Sequence, residues 1–126
     1  MAPLKSNVSA MDRSKIDHLP LFDTAYVLRA SKHSDFQSRV LMRAQATAEV
    51  FSECGISKSS LIERFTNEPK AFRVNIGDLT DSGLEFARVN YQRWLANSDR
   101  WKGETTYSKF KDTLVKQWVK FSNAQP

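Results

Sequence analysis

At 126 residues the chain is long enough to bury one core and short for more than one domain. Hydrophobic residues at 40% and charged residues at 26% exclude a disordered chain, and no apolar run reaches the roughly eighteen residues a membrane helix needs. The net charge of +5 is uneven: residues 1–55 hold seven basic and six acidic groups, 56–99 six of each, and 100–126 six against two.

The single cysteine excludes an internal disulfide and fits a reducing compartment. The first residues lack the apolar core of a secretory signal, so the expected location is cytoplasmic. Residues 1–13 are small and polar and predict a flexible tail; 14–121 form the expected globular domain, and 122–126 a frayed end.

In chain order, Leu21, Ala25 and Leu28 share one helical face and Phe22 and Tyr26 the next, which predicts a short buried helix over 21–31. A long helix follows. Ser34 or Asp35 can cap it, and Phe36, Val40, Ala44, Ala48, Phe51 and Cys54 recur at spacings of three and four. Arg39, Arg43 and Glu49 fall off that stripe and are expected in solvent. Gly55 marks a corner, Ile56 tucks beneath it, and Ser57 can cap a helix from Lys58 to Phe65 whose inner face is Leu61, Ile62 and Phe65. Pro69 stops it.

Phe72, Val74 and Ile76 alternate with Arg73 and Asn75, a strand ended by Gly77. Its partner is a segment ahead of the long helix, its own flank, or a second chain. Thr80 can cap the next helix, with Leu84, Ala87, Tyr91 and Leu95 or Trp94 as its stripe and Phe86 and Val89 beside it. Thr105 or Thr106 can cap the last, whose stripe is Tyr107, Phe110, Leu114, Trp118 and Phe121. Mainly α, about five helices with one short strand or hairpin, is the expected fold class.

Val50, Cys54, Gly55, Ile56, Leu61 and Phe65 resemble the corner of the winged helix-turn-helix superfamily. Leu79-Thr80-Asp81-Ser82-Gly83 is similar to the phrase that closes the wing and opens the next helix there. The resemblance spans residues 47–95. It implies a DNA-binding regulatory or accessory protein whose second helix enters the major groove. Carried over, Lys58, Ser59, Ser60 and Arg64 would face the groove, with Glu63 beside them, and Lys70 and Arg73 would touch phosphate. Phe51 departs from the family, which usually has a small residue four places before the glycine.

The residues themselves leave a second reading open. The charge balance of 56–99, the breadth of the apolar face after Gly77 and a lone strand also suit a protein-binding module: an adaptor, inhibitor or immunity-type protein. Arg100, Trp101, Lys102, Lys109 and Lys116 form a candidate contact surface for either partner, with Trp101 in a turn between two cations. A homodimer through the last two helices is compatible with both. No catalytic constellation, phosphate loop or metal-ligand spacing is present, so neither enzyme activity nor a cofactor is expected.

Overall fold

The computed structural model describes residues 17–101 and 105–124. Among them are two short strands and five helices: β1 (Pro20–Asp23), α1 (Thr24–Leu28), α2 (Ser34–Glu53), α3 (Ile62–Asn67), β2 (Arg73–Asn75), α4 and α5 (Tyr107–Ala124). Helix α4 is continuous through Asp81–Phe86, a π-turn at Ala87–Tyr91, and Gln92–Asp99. The protein is therefore mainly helical with a two-stranded antiparallel sheet. The expected tail at 1–13 lies outside the described residues.

Strand β1 corrects the helix expected over 21–31. Phe22 pairs with Val74 and Asp23 with Arg73, and both Phe22 and Val74 point into the core. The helical spacing of Leu21, Ala25 and Leu28 is outweighed by this pairing. The segment ahead of the long helix thus supplies the partner that β2 requires for its backbone. Asp23 closes the strand and caps α1, its carboxylate accepting from the Tyr26 amide. Tyr26 is 71% exposed rather than buried.

Helix α2 begins as expected, but His33 occupies the cap position and neither Ser34 nor Asp35 caps it. Val40, Ala44, Ala48 and Phe51 are buried along the expected stripe, and Ala46, Thr47 and Val50 widen it. Arg43, expected in solvent, is buried too.

Gly55 turns the corner at φ +71°, where a side chain would be strained. The amides of Ile56 and Ser57 then both donate to the Phe51 carbonyl at 2.9 and 3.1 Å. The expected helix over 58–65 is displaced to Ile62–Asn67. Residues 57–61 are held by long-range bonds instead. Ser57 bridges to Leu79, the Lys58 amide donates to the Asp78 carbonyl, and the Ser52 hydroxyl accepts from the Leu61 amide at 2.7 Å. The Ser57 hydroxyl donates to the Ser59 carbonyl and does not cap a helix. Leu61 is buried, Phe65 half-buried and Ile62 exposed.

The first turn of α4 presses on this corner. The Thr80 hydroxyl accepts from the Gly83 amide, as its spacing predicts, and donates to the Ile56 carbonyl. A Cβ at Gly83 would lie 2.1 Å from the Ile56 oxygen, so only glycine fits there. Further along, Tyr91 is fully buried, edge-on to Phe51 at 5.0 Å and sharing a hydrogen bond with Thr47. Of the two residues expected beside the stripe, Phe86 is buried and Val89 is exposed.

Helix α5 lies against α2 and α4. The Thr106 hydroxyl accepts from the Lys109 amide at its start. Phe110 and Leu114 are buried, and Tyr107, Trp118 and Phe121 pack half-buried against the core. Lys111, still partly in solvent, pairs with Glu49 and Glu53 at 2.9 and 3.1 Å. The Tyr107 hydroxyl donates to the same Glu49 carboxylate. No described helix is long and apolar enough to cross a membrane.

Candidate functional site

The corner holds six residues with a predicted DNA role. Lys58, Ser59 and Ser60 are exposed, but they lie in the bent, irregular stretch before α3 rather than on a helix. Arg64 is on α3, and its guanidinium is engaged within the fold. It donates to both Asp78 carboxylate oxygens and to the Arg73 carbonyl, the two shortest bonds at 2.9 Å. Burial pushes the Asp78 carboxyl up, but the Arg64 guanidinium and the Asn75 amide outweigh it and hold it below 3.8. Arg73 donates to Asn75 Oδ1 and to the His18 carbonyl. Lys70 is exposed in a 3-10 turn before β2. Both arginines therefore clasp the sheet to its surroundings, and the lysines and serines remain as surface groups.

The C-terminal surface divides in the same way. Trp101, expected to be exposed in its turn, is half-buried and packs on Phe110, the two rings tilted by 32° with centres 5.1 Å apart. Lys109 lies over it, its Nζ 4.4 Å from the ring centre. This aromatic pairing explains the correction: the indole extends the core instead of projecting from it. Arg100 and Lys116 are exposed, and Lys102 lies outside the described residues.

A different feature has the geometry of a binding site. A cleft of about 580 Å³ opens between β1, α1, α2 and the end of α4. Leu21, Val27, Phe36, Val40 and Leu95 form apolar walls, and all four residues of β1 run along one side. Tyr26 stands at its rim, and Leu19, 51% exposed, sits just ahead of β1. This volume is in the range of ligand pockets.

Arg43 is the cationic group of the cleft. Its side chain is buried to 5% exposure, with the guanidinium 5.9 Å from the Phe110 ring centre. One nitrogen, Nη1, donates to Asp99, whose side chain is 59% exposed. Nε and Nη2 are buried without an acceptor. A buried donor left unpaired costs about 1–3 kcal/mol, more when charged. The guanidinium therefore holds two donors with neither an acceptor nor accessible surface, and the cleft lining sets the carboxylates of Asp23 and Asp99 against this one cation. One turn earlier on α2, Arg39 also buries an unpaired Nε.

Arg43 was missed because charge was given precedence over spacing. Phe36, Val40, Arg43 and Thr47 follow one another at intervals of four, three and four, so position 43 lies on the buried face by pattern. An arginine at such a position, among apolar neighbours, is the signal that could have identified it. Among the described residues no cluster of His, Cys, Asp and Glu could hold a metal ion. Comparison with family models, curated proteins and solved structures finds no match for this chain.

Proposed function

We propose that this chain is a non-catalytic protein-binding module, an adaptor, inhibitor or immunity-type protein, that receives a partner's apolar group in the cleft beside β1. The observation that carries the reading is the apolar cleft itself, bordered by exposed Tyr26 and by an edge strand. Exposed apolar surface beside an unpaired strand edge is a usual place for a partner chain to dock. The equal numbers of acidic and basic groups over 56–99 fit such a partner better than a polyanion.

A photo-crosslinking benzoylphenylalanine in place of Tyr26 tests this in the full chain inside cells. Discrete adducts are expected from position 26, with none from position 116, and they should vanish when Ala30→Trp fills the cleft. Adducts that survive Ala30→Trp, or that form equally from position 116, would overturn the reading.

Duplex DNA binding on a winged-helix-like frame is a second reading, favoured by one observation. The order helix, glycine corner, short helix, strand, Thr80-capped helix is that of the superfamily, with Lys58, Ser59, Ser60 and Lys70 exposed along it. Fluorescence anisotropy with mixed-sequence duplex, at low and then physiological salt, separates the two. Salt-steep binding that weakens with Lys58→Ala and Lys70→Ala, but not with Lys116→Ala, would favour DNA at the corner. No binding even at low salt would remove it.

A further inference from the structure

We infer that the outer face of α4 and α5 binds the phosphate backbone of a nucleic acid, on a side of α4 that does not line the cleft. The two helices run antiparallel. Phe86 meets Trp118 and Phe121, the Trp94 indole nitrogen donates to the Thr113 hydroxyl at 3.0 Å, and Trp101 packs on Phe110. Lys109, Thr113, Lys116 and Lys120 follow one another at intervals of four, three and four, so they share one face of α5. Thr113 is the member of that face that meets α4, which sets the lysines along the seam. On α4, Arg93, Asn97 and Arg100 follow at intervals of four and three. They border Trp94 on the side away from Leu95 and Asp99, the α4 residues of the cleft. The antiparallel register sets Arg93 level with the Lys116 turn and Arg100 level with the Lys109 turn.

The five cations are exposed. The side chains of Arg93, Arg100, Lys116 and Lys120 have no partner among the described residues. Lys109 is held over Trp101, its Nζ 4.4 Å from the ring centre. Nearby negative charge is sparse. Asp112 is the one carboxylate of α5, Asp99 is bonded to Arg43, and Glu85 pairs with Arg88 at 3.6 Å. From Lys109 to Lys120 the α5 row extends about 16 Å, at 1.5 Å per residue.

The chemistry of the seam selects the polyanion. Between the rows stand Asn97, Thr113 and Gln117, with Val89 at one end. Protein interfaces are anchored by buried aromatic or aliphatic groups, and a membrane-surface helix inserts an apolar face beside its cations. Neither arrangement is found between these rows. A sugar-phosphate backbone is bound by Arg and Lys together with hydroxyl and amide side chains, without an apolar anchor.

The test is fluorescence anisotropy of the full chain with a labelled mixed-sequence oligonucleotide, single-stranded and as duplex, across a salt series. Affinity should fall with a log–log salt slope of about −3, as three to four phosphate contacts give. Arg93→Ala with Lys116→Ala should weaken binding about tenfold at low salt and make the slope shallower by about two. Arg100→Ala with Lys120→Ala should act alike, and Lys58→Ala with Lys70→Ala should change nothing. These side chains are exposed, so thermal melts of all three variants should match the parent. The tighter of the two forms names the kind of nucleic acid, and either supports the inference.

No binding of either form at low salt would overturn it. Binding lost with Lys58 and Lys70 but kept without Arg93 and Lys116 would move the nucleic acid to the Gly55 corner and overturn it as well. Polyglutamate that displaces the oligonucleotide at equal charge would make the partner an acidic protein. Tighter binding to phosphatidylserine vesicles would make it a membrane surface. None of these results bears on adducts from position 26, so the protein-binding reading of the cleft stands or falls separately.

Discussion

The corner at Gly55 and the cleft at Arg43 are built from the same kinds of residue and use them in opposite ways. At the corner the polar groups are absorbed. Arg64 and Arg73 hold Asp78, Asn75 and backbone carbonyls, Ser52 serves the Leu61 amide, and Thr80 spans the Gly83 amide and the Ile56 carbonyl. At the cleft a buried arginine has one partner and two nitrogens without any. Satisfied groups contribute to stability; unsatisfied ones reduce it unless something else fills them. A region resembling a functional motif can thus be mostly scaffold. An ordinary stretch of helix face can hold the buried charge that the fold leaves unsatisfied.

The largest effect that would sharpen this contrast is at Gly83. Gly83→Ala places a Cβ 2.1 Å from the Ile56 oxygen, against backbone that has no room to move. Destabilisation of about 3 kcal/mol or more is expected, read from the urea midpoint. A loss under about 1 kcal/mol would show that the corner is looser than its bonds imply.

The two arginines should then respond with opposite signs. Arg43→Met removes unpaired buried donors and keeps apolar volume, so stability should hold or rise by about 1 kcal/mol. Asp99→Ala leaves the buried guanidinium with no acceptor and should cost about 2 kcal/mol. Arg64→Met opens a clasp that is partly in water, and a loss of only about 0.5 kcal/mol is expected after allowing for solvent screening. If Arg43→Met proved the more damaging of the two substitutions, the cleft arginine would be a structural group like Arg64. Gly55→Ala belongs between these, since φ +71° costs a side chain about 1 kcal/mol.

Much of the corner was legible in the sequence because its signals are local. The stripe of α2, the glycine at positive φ, the alternation of β2 and the Thr80 cap each lie within a few residues. Strand β1 was not legible. Four residues carry little periodicity, and their pairing partner lies far along the chain at Arg73–Asn75. The start of α3 was misplaced for the same reason: Asp78, Leu79 and Ser52, none of them adjacent, fix the backbone of 57–61. Trp101 was misjudged because Phe110, beyond the turn, was needed to cover it. Arg43 was legible in spacing and was set aside on charge alone.

The smallest expected effect is the pH dependence, and it separates the corner's clasps from the α2–α5 contact. Burial pushes the Glu49 carboxyl up, but hydrogen bonds from Tyr107, Lys111 and Gln45 outweigh it and hold it below its ordinary 4.5. Asp78 is likewise held below 3.8 by Arg64 and the Asn75 amide. A carboxyl depressed in the folded state binds its proton more readily once unfolded. The stability it contributes is therefore present above the unfolded value and lost as the pH falls through the folded one. Unfolding free energy should be level from neutral pH down to about 5 and then decline. Glu49→Gln should soften the decline that begins below 4.5, and Asp78→Asn the later part below 3.8. Urea melts at intervals of half a pH unit would resolve the two. An acid limb unchanged in Glu49→Gln would mean that α5 is held to α2 by Phe110 and Leu114 alone, with the Glu49, Tyr107 and Lys111 cluster adding nothing the solvent could not replace.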